Sequence, residues 1–195
     1  DFIATGKYDR NRPFYNTVSP SMDILISSNL ERLLYLLSGG DDKLVAGYMK
    51  ELSDTGCYQV SEEMRKKIQS VFVGGFSSEA ETEATIGKMM DEHKYLIDTH
   101  TAVAFHVLEQ YRKETGDQTK TVVASTASPF KFCDAVLDAL NVTDKATGTA
   151  LLDQLAEVSG MPAPQPLATL KDKQVRFTSW TEKEQMRAVV TDFLK

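Results

Sequence analysis

Apolar residues come thick between Ser19 and Leu37, in the stretch SPSMDILISSNLERLLYLL. Met22, Ile24, Leu25, Ile26, Leu30, Leu33, Leu34, Leu36 and Leu37 are too many for a helix with one wet face. Ser19 suits an N-cap, and Pro20 suits the first helical position, where its missing N–H costs nothing. The pattern therefore predicts a helix that starts at Ser19-Pro20, is buried on most sides and stops at Ser38-Gly39-Gly40, whose glycines tolerate a left-handed cap. Asp23, Ser27, Ser28, Asn29, Glu31 and Arg32 lie on the same element, and buried polar groups of this kind need partners or a ligand.

The flanking chain reads as alternating helices and short strands. Asp1 to Val18, with Gly6 and the Asn11-Arg12-Pro13 turn signal, reads as a loop with one short helical turn. A second helix is predicted from Asp42 to about Asp54, with Leu44, Val45, Tyr48, Met49 and Leu52 at helical spacing and Thr55-Gly56 as its end. Cys57 to Val60 has the look of a short strand. Ser61 caps the next helix, whose first turn holds Glu62 and Glu63 against the helix dipole. FVGGFSS, at Phe72 to Ser78, is a turn more than a phosphate loop, since no strand precedes it and no Lys or Ser/Thr stands at the expected offset. Ser78 and Glu81 have capping-box spacing for a helix from Glu79 to His93 with Ile86, Met89 and Met90 buried, a methionine pair that reads as gap-filling core.

Two strand-to-helix transitions follow. Tyr95 to Ile97 ends in Asp98-Thr99-His100-Thr101, and a helix runs on through Ala102, Phe105 and Tyr111. Thr121 to Ala124 ends in Ser125-Thr126-Ala127, after which Ser128-Pro129 opens a helix through about Leu140. Strands alternating with helices imply parallel pairing, and ligands of open α/β sheets bind beyond the carboxyl ends of the strands. Both polar clusters lie at such an end. Beyond Asn141, Leu151, Leu152, Leu155 and Val158 mark a helix ended by Gly160. MPAPQPL, at Met161 to Leu167, is an extended connector. Thr181 and Glu184 form a second capping-box pair for a last helix docked by Val189, Val190 and Phe193.

Composition narrows the classes. The chain has 195 residues, 42% hydrophobic, enough for one sizeable core or two small ones. Its net charge is −6 and its longest basic run is Arg65-Lys66-Lys67, which speaks against nucleic acid or a polybasic membrane anchor. No apolar run reaches the ~20 residues of a membrane span, and no signal-peptide pattern opens the chain. Cys57 and Cys133 have no metal or disulfide spacing, which makes a reduced, cytoplasmic setting the default.

Single residues keep two readings. His100 is either a structural hydrogen-bonding residue or a site residue. His93 and His106 read as surface or packing residues, and His93 with His100 lacks a third close ligand for a metal. Asn29 and Arg32 either meet a ligand or, for Arg32, pair with Asp23 or Glu31 in a structural network. Ser19 and Ser21 stand at a predicted helix N-terminus, whose free N–H groups attract anions. Lys131 either attracts a phosphate or lies in solvent. Ser125 and Ser128 either border a site or cap a helix, with Thr126 satisfying a loop backbone group.

Four segments in this order, FIATGKYDRNRPF (Phe2 to Phe14), SPSMDILISSNLERLLY (Ser19 to Tyr35), DTHTAVAF (Asp98 to Phe105) and STASPFKF (Ser125 to Phe132), resemble bacterial and fungal-type threonine synthases. Those are pyridoxal-phosphate enzymes of the tryptophan synthase β-like fold, fold type II. The resemblance covers residues 1–140 well and the variable residues 141–195 loosely. It implies an α/β fold: the helix-rich C-terminal part of such an enzyme, with short parallel strands flanked by helices, incomplete without the upstream half. The whole of 1–195 would be a C-terminal fragment of the catalytic region. By the same resemblance no catalytic residue falls within it, because the family's Schiff-base lysine and phosphate-binding loop lie upstream of the matching segment.

The family's TAxPxKF motif is met by Thr126, Ala127, Pro129, Lys131 and Phe132. Ser128 stands where many relatives carry His. The resemblance puts Thr126, with Ser125 beside it, on the cofactor, a neutral hydroxyl facing the pyridine nitrogen. Asp98 and His100 then border the cofactor pocket, and Ser19, Ser21, Asn29, Arg32 and Lys131 are candidates for the substrate. The complete enzyme would convert O-phospho-L-homoserine and water to L-threonine and phosphate. The fragment alone is expected to be inactive, to lack covalently bound pyridoxal phosphate, and to self-associate through uncovered apolar surface, with loop disorder near Asp1 to Val18. Another fold type II lyase, or a non-catalytic descendant that binds a ligand or partner, is the competing reading.

Overall fold

The computed structural model describes residues 1–195 and is helix-rich. In chain order the elements are α1 (Phe2–Thr5), β1 (Lys7–Asp9), a 3-10 turn at Pro20–Met22, α2 (Leu30–Leu37), α3 (Asp42–Thr55), β2 (Cys57–Gln59), α4 (Glu62–Gln69), α5 (Glu79–His93) and α6 (Thr99–Thr115). A 3-10 turn at Pro129–Lys131 then leads into α7 (Cys133–Ala139), α8 (Ala150–Ser159), α9 (Gln165–Ala168) and α10 (Met186–Phe193).

Two cores hold it. In the first, Leu34 of α2, Val45, Tyr48 and Leu52 of α3, Tyr58 and Val60 around β2, and Met64 and Ile68 of α4 are all buried. Tyr8 and Tyr48 stack on the Tyr58 ring at 5.3 and 5.2 Å, and burial pushes the Tyr58 phenol well above its ordinary range. The second core joins Ile86 of α5, Leu96, Ile97 and Ala102 at the entry to α6, Phe130, Val136 and Leu137 around α7, and Leu152 and Leu155 of α8. Met89 and Met90 pack at its edge, and the hydroxyls of the buried Thr82 and Thr85 bond back into their own helix.

Helix ends follow the capping rules. Asp41, Ser61, Ser78 and Asp98 each accept a backbone N–H from the first turn they precede. Ser78 and Glu81 complete a reciprocal capping box. Gly56 closes α3 at φ +83°, a conformation that disfavours a side chain.

The segment 19–37 corrects the sequence reading. No helix begins at Ser19-Pro20: there is one 3-10 turn, then irregular chain, and α2 starts only at Leu30. Ser19 makes no cap bond; its hydroxyl meets that of Thr17 at 3.2 Å. The backbone groups a helix would need are taken from outside. Asp23 accepts the Thr17 N–H and hydroxyl, both at 2.7 Å. The Tyr8 hydroxyl accepts the Ser27 N–H at 2.6 Å and donates to the Leu25 carbonyl. Nor is the segment buried on most sides, since Met22, Ile24, Ile26, Tyr35 and Leu36 are exposed.

The expected parallel strands at Tyr95–Ile97 and Thr121–Ala124 are absent, because a strand exists only against a neighbour and neither segment has one. Leu96 and Ile97 are buried between helices, whereas Val122 is 95% exposed. The sheet that does form is antiparallel and two-stranded, with Lys7 opposite Gln59, Tyr8 opposite Tyr58 and Asp9 opposite Cys57. It gives Asp1–Val18 more order than a loop reading allows. Gln165–Ala168 likewise turns helical within the expected extended connector. At the end of the chain, Thr181 does not cap the last helix, which is entered through a 3-10 turn at Lys183–Gln185, and Val189, Val190 and Phe193 are exposed where docking was expected. No helix is long and apolar enough to cross a membrane.

Candidate functional site

The start of α6 is the most polar buried place in the molecule. Asp98, Thr99, His100 and Thr101 are each no more than 4% exposed. As N-cap, Asp98 accepts the His100 N–H at 2.9 Å through Oδ1 and the Thr101 hydroxyl through Oδ2. The same Oδ1 lies 2.9 Å from His100 Nδ1. On the far side of the ring, Nε2 lies 3.1 Å from the Ser21 backbone N–H. The Phe132 ring sits 4.8 Å from the imidazole, centroid to centroid. The Thr101 and Ser125 hydroxyls also lie within hydrogen-bond reach of each other, at 3.3 Å.

These contacts join three stretches far apart in sequence: the Pro20–Met22 turn, the α6 entry and the Ser125–Phe132 loop. Ser19, Ser21, Asp98, His100 and Ser125 come together here. Thr126 follows Ser125, is exposed and makes no hydrogen bond. Lys131 is exposed and shares with Thr17, Pro20, Phe132, Thr149 and Leu170 a groove of about 640 Å³. Ser128 accepts the Phe130 N–H and so caps the turn that carries Lys131.

Asn29 and Arg32 do not join. Asn29 is exposed and accepts the Ser27 hydroxyl, and Arg32 lines a separate groove against α3 with Glu31, Tyr35, Asp42 and Met49. Arg32 pairs with neither Asp23 nor Glu31, because Asp23 is committed to Thr17. The expectation of free amides at Ser19 and Ser21 fails as well. From Thr17 to Ile24 every backbone N–H has an acceptor, Pro20 having none to offer. Any anion at this turn would have to be met by side chains. His93 is exposed beside Glu92, and His106 meets Gln110 on its own helix.

Thr17 and Thr101 belong to the cluster and were not singled out from the sequence. Thr101 stands three residues past an aspartate N-cap, a spacing that marks a capping partner. Thr17 carries no such signal, since its partner Asp23 lies across a turn that the helical reading removed.

Residues 101–190 match the family model described as threonine synthase, C-terminal. Over 164 residues the chain is 36% identical to threonine synthase-like 1 of Macaca fascicularis, which spans 83% of this chain and 22% of that protein. It is 36% identical over 154 residues to the threonine synthase of Saccharomyces cerevisiae, covering 72% of this chain and 30% of that one. A solved structure, the pyridoxal-phosphate-bound threonine synthase of Brucella melitensis, superposes with a TM-score of 0.78 at 32% identity, over 99% of this chain and 36% of that chain. The chain thus spans between about a fifth and two fifths of the length of these relatives.

Proposed function

Because this chain belongs to the threonine synthase family and corresponds to its C-terminal portion, we propose that the protein containing it converts O-phospho-L-homoserine and water to L-threonine and phosphate with pyridoxal phosphate. The observation that carries this reading is the convergence of three family-like segments, SPSM, DTHT and STASPFK, through the bonds from Ser21 to His100 and from Thr101 to Ser125.

The residues at the cluster suit the cofactor. Thr126 offers an exposed, unpartnered hydroxyl, the neutral group that suits a pyridine nitrogen, and Ser125 is held beside it by Thr101. When bound, pyridoxal phosphate supplies an electron sink for carbanion chemistry at the substrate. Facing a hydroxyl and not a carboxylate, its ring nitrogen would be held less firmly protonated, which suits β- and γ-position chemistry. Lys131 and the Ser21 hydroxyl, both without partners, are the groups in this chain available to a substrate phosphate. His100 serves orientation, since both of its nitrogens are occupied. Arg32 and Asn29 have no part in this arrangement. With free Cys57 and Cys133, we place the protein in the cytoplasm.

The test is phosphate release from O-phospho-L-homoserine by the protein carrying this segment, with Thr126→Val and Thr126→Asp beside it. Both variants should lose at least tenfold in kcat, and the 195-residue chain by itself should show no turnover. Phosphate release by the isolated chain, or unchanged kcat in both variants, would overturn the assignment. The match to proteins named threonine synthase-like favours a second reading, a ligand-binding relative without turnover. Cofactor binding without phosphate release would select it.

A further inference from the structure

His100 has the surroundings of a clamp. Asp98 Oδ1 is a carboxylate oxygen and only accepts, so the proton on the imidazole belongs to Nδ1 at 2.9 Å. The Ser21 backbone N–H only donates, so Nε2 at 3.1 Å carries the lone pair. Thr99 Oγ1, 3.4 Å from Nδ1, is too distant to compete. The ring is 4% exposed and lies against Phe132, which leaves it no second orientation with the same partners. A general acid or base needs a nitrogen within reach of substrate, and this ring has none free.

From this geometry we propose that Asp98 and His100 form a positioning pair that pins the Ser21 backbone. His100, as its neutral Nδ1–H tautomer, takes the last backbone N–H of the Thr17–Ile24 turn that has no acceptor within the turn or on Glu79. The consequence reaches the groove that Pro20, Lys131 and Phe132 line. With its amides used up, the turn offers an anionic ligand no cradle of N–H groups, and only side chains such as Lys131 and the exposed Ser21 hydroxyl are left to meet one. The ligand is that of the function proposed above; the pinning itself stands on the hydrogen bonds alone.

Nuclear magnetic resonance on the protein that carries this segment, 15N-labelled at histidine and serine, tests it. Long-range proton–nitrogen spectra of the wild type at neutral pH should show His100 protonated at Nδ1 and bare at Nε2, and the Ser21 amide should exchange slowly. His100→Phe keeps a ring against Phe132 but offers no acceptor, and should speed Ser21 exchange at least about tenfold. His100→Gln, whose amide oxygen reaches the place of Nε2, should restore most of the protection. A ring protonated at Nε2, or Ser21 exchange equal in wild type and His100→Phe, would overturn the pair. Should His100→Phe fail to fold, the wild-type tautomer and Ser21 protection still decide. None of these readouts needs turnover, so absence of phosphate release would defeat the functional reading and leave the pair standing.

Discussion

Asp98→Ala should be among the costliest single substitutions in this chain. The side chain is 0% exposed and holds three donors: the His100 N–H, His100 Nδ1–H and the Thr101 hydroxyl. Losing an N-cap alone costs about 0.5–2 kcal/mol. A buried donor left without a partner costs about 1–3 kcal/mol, and His100 Nδ1–H would be one. Thr101 can turn wholly to Ser125, so its share is small. Relief from burying a carboxylate offsets part of the sum. The net is about 3 kcal/mol, a large fraction of the 5–15 kcal/mol typical of a folded domain. Asp98→Asn is the control. Asn caps helices as well as Asp does, its Oδ1 can take both His100 bonds, and its NH2 can donate to a rotated Thr101 hydroxyl, so it should cost only about 1 kcal/mol. Urea denaturation followed by circular dichroism measures both as shifts in midpoint at constant slope. A loss below about 1 kcal/mol for Asp98→Ala, or equal losses for Ala and Asn, would refute the reasoning.

Other outcomes follow from single contacts. Gly56→Ala should lose about 2 kcal/mol in the same assay: φ is +83° and the added Cβ would lie 2.3 to 2.6 Å from the Asn11 side chain. Gly39→Ala, at φ +77° with nothing within 4 Å, should lose only about 1 kcal/mol. Ser78→Ala should cost about 1 kcal/mol. It should also flatten the acid limb of the stability profile, because the Ser78 hydroxyl and then its N–H hold the Glu81 carboxyl below its ordinary value. That contribution is complete above the unfolded-state value and is lost as pH falls through the lowered folded one. Leu155→Ala, fully buried in the second core, should cost about 2–5 kcal/mol. Removing residues 173–195, none of which is buried, should change stability by less than about 0.5 kcal/mol, and a larger loss would mean that α10 docks.

Features carried by a few neighbouring residues could be read from the sequence, and features needing a distant partner could not. Asp42–Thr55, Glu79–His93, the Ser78–Glu81 box and the Gly56 and Gly160 ends are local chemistry, and the structure follows them to within a residue or so. The 19–37 stretch failed for the opposite reason. Its apolar density and Ser-Pro opening are local signals for a helix, but Tyr8 and Thr17 reach in from outside and take the groups that such a helix would use. The strands at Tyr95–Ile97 and Thr121–Ala124 depend wholly on neighbours, and this chain supplies none.

The site divides along the same line. Asp98, His100 and Ser125 could be named because each sits at a local transition from extended chain to helix, and the structure draws those transitions together. Asn29 and Arg32 could be named only by sharing a helix with Ser19 and Ser21, and once that helix is broken at Asp23, Arg32 lines a different groove and Asn29 is left exposed beside Ser27. What sequence alone withholds is the direction of the His100 proton. A histidine two residues past an aspartate N-cap is free to turn either nitrogen toward it; here the Ser21 amide, 79 residues away, decides the matter by offering a donor on the other side. Orientation in this cluster is therefore set by long-range pairing between three segments, so a substitution at Ser21 that moves its backbone should disturb the His100 ring as surely as one at Asp98.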